Sequence, residues 1–450
     1  EKNSIEDVVG QYVTLTRRGS NLFGLCPFHN EKTASFSVAP EKGIFYCFGC
    51  HKGGGVVNCR MEIEGVDYPD AVRFLARRAG MEVPDEDPRQ KSTLRRKEHL
   101  WKLCRDTARF YHETLKSPEG QEGLRYLLGR GLSPKTIVSF GLGFAPNQWD
   151  GLKRAMLAKG YTIEDLQEAG LVRTKHRQKT DENGNAVDSV STYDWFRNRV
   201  MFPIIDVRGN VIGFGGRVMD GSEPKYLNSP ESMIFNKRKN LFALNVAKKS
   251  TSKRYILCEG YMDVISMHEA GFDTAVCACG TALTPEQVKL LTEYADEVVL
   301  SYDSDEAGQK ATERSLALFS GTNLQVRVLN IPGAKDPDEF IRTYGRDRFE
   351  AVLEGTATPL EFKLAKAVKK YDLRNDAQRL HYVDEAIGIL AGSAVSPTAR
   401  DVYAGRIAEQ TGIDKKAVLV QLESAVRGAG RRARRKEQNE LSRQGIAADI

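Results

Sequence analysis

The 450-residue sequence predicts a multidomain α+β protein, with a small metal-stapled β-rich unit, a mixed α/β core and a helical C-terminal part. Three observations predict it. Two tight pairs of Cys and His stand among short strand-like runs near the start. From Arg254 to Pro332 strand and helix patterns alternate, which gives an α/β unit with a mostly parallel sheet. After Pro337 the pattern is helical to about Val426.

Residues 5–84 form the first unit. Its strand-like runs are Asn21–Leu25, Ser35–Ala39 and Gly43–Cys47, with a turn at Pro40–Gly43. A helix over Tyr68–Ala79 follows from the spacing of Ala71, Val72, Leu75, Ala76 and Ala79, with Gly80 as its stop. Cys26-Pro-Phe-His29 is one chelating pair, and Cys47-Phe-Gly-Cys50 is another after 17 intervening residues. A hairpin of that length brings two such turns together. Four soft or borderline ligands with no open position describe a structural tetrahedral zinc site. Cys59 reads as an ordinary helix or core thiol. Phe23, Phe28, Phe36, Phe45, Tyr46 and Phe48 divide between a small core and a surface on which bases could stack, beside Arg17, Arg18 and Lys32.

Residues 84–98 are polar with two prolines and read as a linker or as the polar start of the next helix. A helical pattern runs from Leu100 to Lys116, and another helix starts at Ser133-Pro134. Lys175–Val190 reads as a surface hairpin or loop. Val200–Val207 and Val211–Phe214 read as a hairpin of buried strands about Arg208-Gly209-Asn210. Around that hairpin lie Phe196-Arg197-Asn198-Arg199, Gly213–Arg217, Lys225-Tyr226-Leu227-Asn228 and Lys237. Glycine lets backbone approach a ligand, and Arg and Lys suit phosphates. No G-x4-G-K-[ST] occurs, so a P-loop ATPase is excluded.

Within the α/β unit, strands are predicted at Tyr255–Cys258, Thr274–Cys279, Glu297–Tyr302 and Gln325–Ile331. Helices are predicted at Val264–Ala270, Pro285–Tyr294 and Ala307–Phe319. Glu259 then follows one strand, Asp303 and Asp305 another, and Asp336 and Asp338 a third. Ligands bind at that edge of an open α/β sheet. Crowded carboxylates repel, and oxygen-only ligands suit Mg2+ or Mn2+. Metals so placed serve nucleotidyl transfer. Any single Asp after a strand can instead cap the following helix, and Asp263 could do either.

The composition excludes little else. Hydrophobic residues make up 41% and charged residues 28%, as in ordinary globular protein. No apolar run approaches the ~18 residues of a membrane span, and no secretory signal precedes the first unit, so a cytoplasmic place is expected. The chain opens on Glu1 rather than Met, as a partial chain would. The net charge is +6, but residues 427–436 alone carry six basic residues and no acid, so the remainder sums to zero.

LCPFHNEKTASFSV, YCFGC, FRNRVMFPI, GFGGR, KYLNSPE, LCEGYMDVI, SYDSDEAG and KDPDEFI, in this order, resemble the bacterial-type DNA primases over residues 5–425. The resemblance implies an N-terminal zinc ribbon (1–84), a linker (85–98), and a polymerase core whose N-terminal subdomain spans 99–253. A Toprim catalytic subdomain (254–340), a helical subdomain (341–426) and a basic linker or tail (427–450) follow. It implies that Cys26, His29, Cys47 and Cys50 bind one structural Zn2+. Glu259, Asp303 and Asp305 would be catalytic acids holding Mg2+ or Mn2+, supported by Asp263, Asp336 and Asp338. Arg197, Asn198 and Arg199 would line the path of template DNA and part of the nucleotide site. Lys225, Tyr226, Asn228 and Lys237 would contact the nucleoside triphosphate. The implied partners are single-stranded DNA, ribonucleoside triphosphates, the primer–template hybrid and the replicative helicase, at the replication fork. The family usually meets the helicase through a further C-terminal domain, expected outside this chain. Ala34 stands where proline is common, which alters a turn rather than the metal ligands. A Toprim nuclease or topoisomerase, and a zinc-bearing single-strand-binding protein, are the competing readings.

Overall fold

The computed structural model describes residues 3–29, 31, 33–64, 66, 68–81, 88–180, 186–280, 282–393 and 395–443. Lys32 and residues 444–450 lie outside them. The chain divides into two compact units, Glu1–Arg95 and Arg96–Ile450.

The first unit is a five-stranded antiparallel sheet in sequential order: β1 (Thr16–Arg18), β2 (Asn21–Gly24), β3 (Phe36–Ala39), β4 (Ile44–Cys47) and β5 (Gly53–Gly55). α1 (Ile5–Val9), α2 (Val56–Glu64) and α3 (Tyr68–Arg78) accompany it. Alternation along β4 sends Phe45 and Cys47 inward and leaves Ile44 and Tyr46 exposed. Phe36 and Phe45 stack at 5.4 Å in the core, with Cys59 fully buried beside them. Gly43 turns the chain between β3 and β4 at a φ of 64°, which a side chain would resist.

In the second unit α4 (Pro88–Lys116), α5 (Gln121–Gly129) and α6 (Pro134–Ser139) lead to β6 (Gly143–Ala145), then to α7 (Gly151–Ala158) and α8 (Ile163–Glu168). Residues 88–98 are thus helix, the second of the two readings of 84–98, a linker or the polar start of the next helix. Pro88 stands at the helix start, where its missing N–H costs nothing, and the polar residues after it are good helix formers. β7 (Val172–Thr180) and β8 (Ala186–Asp194) form the expected hairpin. β9 (Arg199–Ile205), β10 (Val211–Arg217) and β11 (Tyr226–Asn228) join β6 in a four-stranded antiparallel sheet, ordered β11-β10-β9-β6.

β12 (Leu241–Phe242) and α9 (Leu244–Ala247) open the α/β layer. It continues through β13 (Arg254–Cys258), α10 (Tyr261–Glu269), β14 (Ala275–Ala278), α11 (Pro285–Thr292), β15 (Glu297–Ser301), α12 (Glu306–Phe319) and β16 (Gln325–Val328). The sheet order is β12-β14-β13-β15-β16, with only β12 antiparallel. The chain leaves β13 for β14 on one side, then crosses to β15 on the other. That reversal opens a crevice at the C-terminal ends of β13 and β15. The two large sheets share one core, in which Phe202 of β9 stacks on Tyr261 at 5.4 Å and Ile256 and Val264 pack nearby.

The remaining helices are α13 (Pro337–Tyr344), α14 (Arg346–Glu354), α15 (Pro359–Val368), α16 (Asp376–Ala391), α17 (Pro397–Thr411) and α18 (Lys415–Arg443). α15 to α18 bury their own core around Tyr382, Ile387, Leu390 and Ile407. Residues 427–443, expected as a basic tail, continue α18. Their Arg, Ala, Lys, Glu and Gln favour helix and no proline interrupts them.

Candidate metal centre and acidic crevice

The sheet of the first unit brings its metal ligands together. Cys26 follows β2, Cys47 ends β4, and the ligand atoms of Cys26, His29, Cys47 and Cys50 all lie within 4.8 Å of one another. Cys26 Sγ and Cys50 Sγ are 3.8 Å apart, as are Cys47 Sγ and His29 Nδ1. Bonds of about 2.3 Å to a tetrahedral zinc would set sulfurs about 3.8 Å apart, so the quartet fits zinc. His29 presents Nδ1 inward, while its Nε2 lies 3.3 Å from Glu31 Oε2. Glu31 also accepts from the Cys26 N–H at 2.7 Å, the Ser35 N–H at 3.1 Å and the Ser35 hydroxyl. One carboxylate therefore holds both ligands of the first pair and ties them to Ser35. Sequence spacing points to the four ligands but not to Glu31 or Ser35, because the partners of a ligand depend on how the loop returns. Gly49 is demanded by packing, since a Cβ there would lie 2.7 Å from the His29 ring.

In the second unit Glu259 follows β13 and Asp303 lies two residues past β15, which is the neighbouring strand, with Cys258 opposite Ser301. The Asp303 N–H donates to Glu259 Oε2 at 3.2 Å. Burial raises the Asp303 carboxyl to about 6, and Glu259 and Asp336 add to the shift. Asp263, held over the start of α10 by the Gly260 N–H at 3.0 Å, is pushed up to about 7 by burial and then by Asp336 and Asp303. Positive charge nearby would favour the ionised form of such carboxylates. Asp305 and Asp336 also cap helices, accepting from Gly308 and Glu339 N–H groups at 2.8 Å each. Lys335 reaches to 3.9 Å from Asp303. Among the described residues the acids do not close as tightly as the Cys/His quartet.

Asp338 departs from the expectation of a metal-supporting acid. It is buried, its carboxylate pairs with Arg130, and Ser266 donates to it at 2.5 Å. Arg199 departs too. It is 7% exposed and donates to the carbonyls of Gly216 and Pro224, at 3.3 and 3.0 Å, instead of lining an open groove. Both differ for one reason: burial is set by distant segments.

The other cationic residues are more accessible. Arg197 lies over Trp149 at 4.0 Å and Tyr193 at 5.3 Å, and Trp149 is 66% exposed. Asn198 adopts a φ of 50° and reaches Asp220. Lys225 is exposed. Tyr226 packs 6.1 Å from Tyr261, and burial raises its hydroxyl to about 12. Asn228 accepts from the Tyr261 hydroxyl at 2.8 Å, which ties β11 to the loop carrying Glu259. Lys237 stands half-buried, its N–H donating to Glu231 at 2.9 Å. Arg217 ends the Gly213–Arg217 run read from the sequence as suited to phosphates. It lies 4.8 Å from Tyr126 and 5.6 Å from Tyr226, and its buried Nε and Nη1 have no protein partner among the described residues. Such a guanidinium is a ready anion contact.

A zinc-stapled ribbon and a parallel-sheet crevice of acids carried by one chain define a class, the zinc-bearing Toprim nucleotidyltransferases. Comparison with known proteins narrows it. The family models that match are the CHC2 zinc finger (residues 1–91), the DNA primase catalytic core, N-terminal domain (110–248), a Toprim-like domain (256–341) and the DnaB-helicase binding domain of primase (360–415). The DNA primase of Clostridium acetobutylicum is 38% identical over 439 residues, covering 97% of this chain and 71% of its own length. The zinc-binding and RNA polymerase domains of the Aquifex aeolicus primase are similar in structure. Their TM-score is 0.55 at 30% identity, over 93% of this chain and 97% of theirs. A DnaG primase catalytic domain bound to ssDNA matches with a TM-score of 0.57 at 32% identity, over 72% of this chain and 99% of its own. The chain belongs to the bacterial DNA primase family. It is an RNA-primer-synthesising nucleotidyltransferase with a zinc finger and a divalent-metal Toprim domain. The helicase-binding match falls on α15 to α17, inside the chain, where the sequence had placed helicase docking beyond it. Among the described residues no helix is long and apolar enough to cross a membrane.

Proposed function

We propose that primers are made at the crevice beyond β13 and β15, with Glu259, Asp303 and Asp305 as the metal-holding catalytic acids, assisted by Asp263 and Asp336. The observation that carries this is the hydrogen-bonded pairing of Glu259 with the Asp303 loop across adjacent strand ends. These acids would hold Mg2+ or Mn2+, which would supply positive charge for the triphosphate and for the attacking and leaving oxygens. The 3′-hydroxyl of the growing primer attacks the α-phosphate of the incoming nucleotide, and pyrophosphate leaves. Lys225, Lys237 and Arg217 orient the triphosphate, while Tyr226 and Asn228 hold β11 against the acid loop. Catalysis is then positioning and charge stabilisation.

Template DNA runs past Arg197 and Asn198, where the exposed Trp149 face gives a base a stacking platform. The primer–template hybrid leaves through the same groove. On the ribbon, exposed Tyr46 and Phe48, 40% and 63% accessible, offer a second single-strand contact. α15 to α17 dock the replicative helicase, supported by the family match there. The protein works at the replication fork in the cytoplasm. Iron(II) substituted for magnesium, with peroxide, tests the metal assignment by cutting the nearby backbone. Cuts beside Gly260 and Ser304 are expected; cuts confined to other segments would contradict it.

A further inference from the structure

We infer that Asp338 anchors the acidic loop through an internal ion pair with Arg130, and that this pair, rather than metal ligation by Asp338, positions Lys335 and Asp336 for the reaction. The inference rests on the primase reading above. Asp338 is 1% exposed and both its oxygens are occupied. Oδ2 takes the Arg130 guanidinium, with Arg342 Nε at 3.8 Å, and Oδ1 accepts from Ser266 of α10 at 2.5 Å. A metal-bound carboxylate must turn a lone pair to the cation. Asp338 is instead buried with a protein donor on each oxygen, while Glu259 and Asp305 are exposed and Asp303 is half-buried.

Arg130 caps the C-terminus of α5, 208 residues earlier in the chain. Three residues on, the Ser133 N–H and hydroxyl both donate to Glu269 of α10 at 2.9 Å. The 130–133 corner is thus fastened to α10 by Glu269 and to α13 by Asp338. Asp338 lies in the first turn of α13, which Asp336 caps. Just before it, the Lys335 carbonyl accepts from the Ser304 N–H at 3.1 Å, and the Lys335 ammonium lies 3.9 Å from Asp303. A shift of that first turn therefore moves the loop that bears Asp303. Leaving either partner buried and unpaired is costly, so the two residues should act as a unit.

The test is a double-mutant cycle of Arg130→Gln and Asp338→Asn in the full chain, with Arg130→Lys as the conservative variant. Primer synthesis, Mn2+ binding by electron paramagnetic resonance and thermal unfolding are read for each. Each single variant is expected to lower kcat at least tenfold with the KM for nucleotide changed less. The double variant should be no slower than the slower single, Arg130→Lys should regain most of the rate, and Mn2+ affinity should stay within about threefold. Loss of a Mn2+ site in Asp338→Asn alone, losses that multiply in the double variant, or equal failure of Arg130→Lys and Arg130→Gln would overturn the inference. Should Asp338→Asn not fold, Arg130→Lys against Arg130→Gln decides. Should the parent chain make no primers, the primase reading falls, and the Mn2+ titration with the thermal cycle still decides the anchor.

Discussion

Single residues in this chain are set by what reaches them from afar. Asp165 is nearly buried, which opposes its ionisation. The Thr162 N–H, His99 and Arg96 nevertheless hold its carboxyl well below the usual carboxylate range. A depressed folded pKa contributes stability that is present above the unfolded value near pH 4 and is lost as pH falls below it. Arg96→Met is therefore expected to destabilise the second unit by about 1–3 kcal/mol at pH 7, Arg96 being a third exposed, and by less at pH 3. Urea unfolding at the two pH values checks it, and an equal loss at both would contradict the assignment. Glu31→Gln is expected to weaken zinc retention about 10- to 100-fold, because it loosens the hold on His29 and on the Cys26 segment. Competition with a chromophoric chelator measures this. The four zinc ligands were legible in the sequence because each pair is local. Arg199 and Asp338 were not, because their partners arrive from other segments; Glu31 was not, because its partners, though local, depend on how the loop folds back.

At the scale of elements, the acids lie where they do because strands end and helices begin there. Gly308, in the first turn of α12, packs against the Asp303 backbone, and a Cβ on it would meet the Asp303 carbonyl oxygen at 2.0 Å. Backbone must then shift. Gly308→Ala is expected to cost primer synthesis at least tenfold while circular dichroism and zinc content stay at parent values. Undiminished synthesis would show that the Asp303 loop has slack. Gly280 is constrained differently: its φ of 72° favours glycine, and a Cβ would lie 1.9 Å from the side-chain amide nitrogen of Asn228 in β11. The alternation of β13 through β16 was legible from hydrophobic runs of strand length. The helical character of 427–443 was not, and 88–98 was left between linker and helix start, since polar, charge-rich segments read alike as linker or as exposed helix until packing or propensity decides.

At the scale of the whole molecule, the second unit places stability and chemistry in one core. Phe202 of the antiparallel sheet stacks on Tyr261, which follows Glu259 and Gly260 at the start of α10. Phe202→Ala is expected to destabilise the second unit by about 3–5 kcal/mol, and to lower primer synthesis at temperatures below its melting point. Calorimetry and activity on the same samples would separate the two effects. The division into a ribbon unit and a polymerase unit was legible from the Cys/His pairs and the later α/β alternation. The dividing point inside α4 was not, because Pro88 reads as a breaker until it is seen at a helix start.

The central claim is that this chain polymerises ribonucleotides at the acids beyond β13 and β15. The most direct test is incorporation of labelled nucleoside triphosphates on single-stranded DNA with Mg2+, without added primer, comparing the parent chain with Asp303→Ala at equal zinc content. Short RNA products from the parent, absent from Asp303→Ala while its DNA affinity is kept, are the expected result. Products of equal yield from both chains, or DNA cleavage in place of RNA synthesis, would contradict the account.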